Sequence, residues 1–145
     1  MKTMRRQYSF CWQTLLAGVV LTFVGCTRQD DRGLVEVSGA VTVDGKPLRT
    51  GSVSFRPIAS RGNKTNHIPT CSIDAEGSFN LKVPPETSGA PLGWYKVVIV
   101  ALDDPRPGHL VPLINKKFMD VKTTPLEIEV IKDPEPGHYE IKVTR

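Results

Sequence analysis

Apolar residues in this chain recur at every second position, in short runs cut off by turn-forming residues, and that period favours β-structure. In "LVEVSGAVTV" (34–43) Val35, Val37, Val41 and Val43 share one face with Gly39, while Glu36, Ser38 and Thr42 take the other. Successive side chains of a strand point to opposite sides, so the pattern describes a sheet with one buried face. "DGKP" (44–47) follows, and Asp-Gly suits a two-residue hairpin loop because glycine accepts positive φ without steric cost. "GSVSFRP" (51–57) resumes the alternation with Val53 and Phe55 inward, until Pro57 ends it. "TCSI" (70–73) and "SFNLKV" (78–83), the latter burying Phe79, Leu81 and Val83, flank the turn "DAEG" (74–77).

Pro84, Pro85, Gly89, Pro91 and Gly93 mark a loop. "WYKVVIVA" (94–101) is apolar on nearly both faces and reads as a central strand. "LEIEVI" (126–131) sets Leu126, Ile128 and Val130 against Glu127 and Glu129, and "YEIKV" (139–143) buries Tyr139, Ile141 and Val143. Seven such runs without an amphipathic helix predict an all-β domain over residues 34–145, an antiparallel seven-stranded sandwich.

The first 25 residues follow another logic. Lys2, Arg5 and Arg6 precede the ten-residue apolar run "LLAGVVLTFV" (15–24), and no acidic residue occurs before Asp30. Ten residues of helix span about 15 Å, half of a ~30 Å hydrocarbon layer, so the run suits a signal segment better than a permanent anchor. The formal charge of +4 belongs to this leader: without its three bases, 16 basic face 15 acidic side chains, a net +1. A body so nearly neutral lacks the footprint expected of a nucleic-acid binder.

The apolar run ends in "FVGC" (23–26), which resembles the lipobox of bacterial lipoproteins, with Phe23 where that signal usually has Leu. The resemblance implies cleavage after Gly25 and a lipid thioether on Cys26. Acyl chains contribute about 0.8 kcal/mol per buried CH₂, so two or three of them anchor stably. Residues 1–25 are then a lipoprotein signal peptide, and 26–33 ("CTRQDDRG") a short polar tether. The expected location is a bacterial membrane with the domain facing periplasm or exterior; Thr27 rather than Asp after the cysteine leans toward the outer membrane. Cys11 would leave with the leader, so Cys71 has no cysteine left to pair with.

The body carries a resemblance too. "VSGAVTVDGKPLRTGSVSF", "IDAEGSFNL" and "PLGWYKVVI" are similar to the carboxypeptidase-regulatory-like, transthyretin-related sandwich domains, with V-x-G-x-V, D-G-x-P-L, D-x-x-G-x-F and P-x-G-x-Y-x-V in that order. Such domains occur in small lipoproteins of planctomycete type. The similarity covers residues 34–101 well and "TTPLEIEV" (123–130) more loosely. Its motifs specify turns, at Gly45, Gly77 and Gly93, and a shared fold is weak support for a shared activity.

Residues that carry chemistry are scattered. His67, His109 and His138 lack ligand-spaced partners, so each is expected at the surface or in a turn. The carboxylates of "DAEG" and "LDDP" miss the calcium-loop pattern, and Asp is an ordinary turn former. Cys71 lies in a strand-like run, where a lone cysteine acts as a small core hydrophobe. No G-x-S-x-G occurs. No catalytic, cofactor-binding or metal site is assigned, and Cys26 is the one residue given a chemical role. The segment 102–125, "LDDPRPGHLVPLINKKFMDVKTTP", is long for a structureless connection. It is expected to pack its apolar residues across one end of the domain, to form an irregular edge strand, or to bind an envelope protein or glycan.

The expected function is that of a lipid-anchored, non-catalytic binding, adhesion or structural accessory module of the cell envelope. The alternative is a small transthyretin-type hydrolase or ligand carrier acting at an oligomer interface. The hydroxyisourate hydrolases of that type end in Tyr-Arg-Gly-Ser, whereas this sequence ends in "EIKVTR".

Overall fold

The computed structural model describes residues 33–145, so the expected signal peptide (1–25), Cys11, Gly25, Cys26 and the tether short of Gly33 lie outside the described residues. In chain order the strands are β1 (Leu34–Val35), β2 (Ser38–Val43), β3 (Lys46–Pro47), β4 (Ser52–Pro57), β5 (Thr70–Ser72), β6 (Ser78–Asn80), β7 (Lys82–Val83) and β8 (Thr87–Ser88). They continue as β9 (Ala90–Pro91), β10 (Gly93–Val100), β11 (Leu102–Asp103), β12 (Val111–Pro112), β13 (Glu127–Val130) and β14 (Glu140–Val143). Single 3₁₀ turns occupy Ala59–Arg61 and Lys116–Met119.

The described residues are thus all-β, and each of the seven runs read from the sequence carries strand. In place of seven continuous strands the described residues hold fourteen shorter ones: two runs break, and β3, β8, β9, β11 and β12 lie outside all seven runs, β8 and β9 within the stretch expected to be a loop. The run 34–43 is interrupted at Glu36–Val37, and 78–83 is interrupted at Leu81. Leu81 is where the chain changes sheets: β6 pairs with β2, whereas β7 pairs with β5. Its N–H donates to Val37 O at 2.9 Å, its carbonyl accepts from Gly89 N at 2.7 Å, and its side chain is fully buried.

One sheet has the order β13–β10–β4–β5–β7–β8, antiparallel throughout. The expected central strand, β10, is indeed interior, with β4 on one side and β13 on the other. In the second sheet β2 is the hub: the β3 hairpin and β6 share one edge, and β14 takes the other. The β2–β14 pair is parallel, with Ile141 beside Val41, which corrects the wholly antiparallel expectation. Parallel neighbours need a long crossover rather than a hairpin, and almost the whole domain lies between these two strands.

Side chains from both sheets meet in one core, including Val37, Val41 and Phe79 from the second and Val53, Phe55, Tyr95 and Ile99 from the first. The Phe55 ring centroid is 6.4 Å from that of Phe79 and 5.7 Å from that of Tyr95, both tilted as aromatic quadrupoles prefer. Gly39 is dictated by this packing. A Cβ there would overlap the Tyr139 carbonyl and stand 2.7 Å from the Phe79 ring. Asp44 and Gly45 both have positive φ, as a primed hairpin turn between β2 and β3 demands.

The segment 102–125 is not structureless. β11 and β12 pair antiparallel and leave an exposed tip, after which Ile114 and Phe118 enter the core.

Candidate functional site

Among the described residues, polar side chains that looked available in the sequence are mostly engaged in holding turns. Asp74 Oδ1 accepts from the backbone N–H of Glu76 (3.0 Å) and of Ser78 (2.7 Å), which closes the "DAEG" turn. Asp104 does the same at the β11–β12 tip, accepting from Gly108 and His109. These are local bonds of a short carboxylate to its own backbone, the reason Asp favours turns.

The three histidines sit on separate loops. His138 is structural: its Nε2–H donates to Glu129 O at 2.8 Å, and its ring meets Tyr139 edge-on at 4.8 Å. Tyr139 Oη in turn accepts from Ile131 N at 3.3 Å, so the two residues tie the end of β13 to the start of β14. His67 and His109 lie in the loops before β5 and β12. No three His, Cys, Asp or Glu side chains group as metal ligands among the described residues.

Cys71 lies in β5, opposite Val53 of β4. Its side chain is half-buried against the core, and burial pushes the thiol up from an ordinary value near 9 to about 11, with backbone hydrogen bonds at Asn80 and Val53 pulling the other way. A thiol so raised stays protonated at neutral pH, and the thiolate is the reactive form. Beside it runs a groove of ≈ 670 Å³ rich in hydroxyls, with Ser38, Thr70, Ser72 and Ser78 among its lining residues.

A cluster missed in the sequence stands on the outer side of β10. The Arg61 guanidinium lies 4.2 Å from the Trp94 ring centroid and 2.8 Å from Glu127, while Asn63 Nδ2 donates to Trp94 O at 3.0 Å. Asn63 is buried, and its side chain would be 3.1 Å from any Cβ placed on Gly93, whose φ is +130°. The cluster clamps the 58–69 loop to β10 and β13. No local pattern in the sequence signals it, because the partners of Arg61 and Asn63 are more than thirty residues away.

A second groove lies at the C-terminal end of β2. Its volume is ≈ 650 Å³, and it is lined by Val43, Asp44, Lys46, Pro47, Leu48, Arg49, Thr50, Leu113 and Arg145. Three basic residues and one acidic residue thus line it together with the apolar Val43, Pro47, Leu48 and Leu113. Leu113 belongs to the 102–125 segment, so part of that segment does line a cleft. A third groove, around Ser38 to Ala40 and Pro134 to Glu140, carries Glu135 and Glu140 instead.

No family model matches the chain, and no curated protein or solved structure is significantly similar to it.

Proposed function

We propose that this protein is a lipid-anchored module of the bacterial cell envelope that binds, adheres or supports rather than catalyses. The observation that carries this reading is the order of parts at the N-terminus: Lys2, Arg5 and Arg6, a ten-residue apolar run, then Gly25–Cys26 and a polar stretch leading into the folded body. A thiol placed just past an apolar run of signal length is positioned to receive a diacylglyceryl group at the membrane surface. The engagement of Asp74, Asp104 and His138 in turns and strand ties supports a scaffold role.

The finer fold reading belongs here as well. We infer that the two main sheets are the layers of an immunoglobulin-like or transthyretin-like sandwich, of the kind found in carboxypeptidase-regulatory-like domains. The support is the shared core, in which Phe55 of one sheet contacts Phe79 of the other.

Mass spectrometry of the mature N-terminus, from a bacterial host, tests the anchoring. The expected product begins at Cys26 and carries acyl chains, and Cys26→Ala leaves it unlipidated. An unmodified N-terminus at any other residue overturns the lipoprotein reading.

A further inference from the structure

The body is close to neutral overall, so a local surplus of one sign must be compensated elsewhere on its surface. The groove at the C-terminal end of β2 holds Lys46, Arg49 and Arg145 against Asp44. Neither recorded ion pair among the described residues uses any of these three cations, since those pairs join Arg61 to Glu127 and Lys82 to Glu86. The groove at the N-terminal end of β2 instead carries Glu135 and Glu140. Opposite signs therefore gather at opposite ends of one strand.

The walls of the basic groove are fixed by backbone bonds. Asp44 N donates to Val143 O at 3.0 Å and Leu48 N to Val41 O at 3.0 Å. Leu113 N donates to Ala101 O at 3.0 Å, and Asn115 N to Thr144 O at 2.8 Å. The backbone around these exposed side chains therefore needs no rearrangement when a ligand arrives. The floor is apolar, with Val43 and Leu48 buried and Leu113 half-buried. The volume of ≈ 650 Å³ falls within the range of about 300–1,000 Å³ common to ligand clefts.

An isolated small anion would use the charges and leave the apolar floor empty. A chain of sugar rings bearing carboxylate or phosphate groups uses both, laying ring faces on the exposed Pro47 and the half-buried Leu113 while its oxyanions meet Lys46, Arg49 and Arg145. We propose that this groove binds an anionic polysaccharide of the cell envelope. The proposal rests on the envelope location inferred above for the source of the ligand, and on the groove alone for its chemistry.

The test is equilibrium binding of the full chain, in neutral detergent, to polygalacturonate, with dextran as an uncharged polymer and inorganic phosphate as a free oxyanion. Lys46→Gln combined with Arg49→Gln keeps much of the aliphatic stems and removes two charges. It is expected to weaken polygalacturonate binding about tenfold or more, and salt of about 0.5 M should weaken the parent protein similarly. A charge-matched control, Lys122→Gln with Lys142→Gln, should bind like the parent. Equal loss in the control, parent affinity for dextran as high as for polygalacturonate, or phosphate saturating the site as tightly as the polymer overturns the proposal. So does groove-dependent binding to phosphatidylglycerol vesicles without polymer binding. None of these outcomes bears on lipidation of Cys26, which the mass of the N-terminus decides separately.

Discussion

Leu110 is 60 % exposed near the tip of the β11–β12 hairpin, whereas Phe118, a short way along the same segment, is 4 % exposed and belongs to the core. The two residues divide 102–125 into unlike halves. The first is a two-stranded excursion whose tip is closed by Asp104 and by the His109 N to Arg106 O bond of 2.8 Å, both within the tip itself. The second returns to the body: Asn115 caps the 3₁₀ turn by accepting from Lys117 N, and Ile114 and Phe118 pack inward. Thr124 then closes the segment onto β10, its hydroxyl donating to Val97 O at 2.8 Å. Apolar content alone does not separate the halves, since Leu110 and Val111 are as apolar as Leu113 and Ile114. What separates them is whether the backbone beside each residue is bonded to the body.

Phe118→Ala should expose this division most strongly. Removing a buried ring costs about 3–5 kcal/mol, a large part of the ~5–15 kcal/mol typical of a whole domain. The urea midpoint of the purified chain should fall accordingly. A loss no larger than that of a surface change would mean the second half is not an integral part of the core.

Thr124→Val comes next. It keeps the shape of a buried side chain but leaves Val97 O without its side-chain donor and Leu126 N without its acceptor at 3.3 Å. Exposing such an unmet need costs about 1–3 kcal/mol. Urea unfolding measures it, and a variant as stable as the parent would show that packing alone holds the segment down.

The same contrast explains what the sequence made legible. Alternation is a local property, so the inward faces at Val53 and Phe55, and at Tyr139, Ile141 and Val143, were readable from a few residues each. The turn roles of Asp44–Gly45 and Asp74–Gly77 were readable for the same reason. Pairing is not local. Nothing in "EIKV" (140–143) announces that it lies parallel to β2, and nothing at Leu81 announces a change of sheet. The candidate groove was out of reach on those grounds: Lys46 and Arg49 are near neighbours in sequence, but Arg145 joins them only after β14 has taken its place beside β2. The 102–125 segment was half legible, because its apolar residues were visible and their partners were not.

Leu110→Ser is the smallest expected effect and the one that sharpens the comparison furthest. An exposed side chain that buries little surface on folding contributes little, and surface substitutions away from special features usually stay within about 0.5 kcal/mol. The urea midpoint should therefore match that of the parent, while Phe118→Ala in the same segment shifts it widely. Solubility offers a second readout, since Leu110 and Val111 are large exposed apolar residues close together at one tip. If Leu110→Ser lowers stability as Phe118→Ala does, the tip folds back onto the body in solution, and the division into a bonded half and a free half fails.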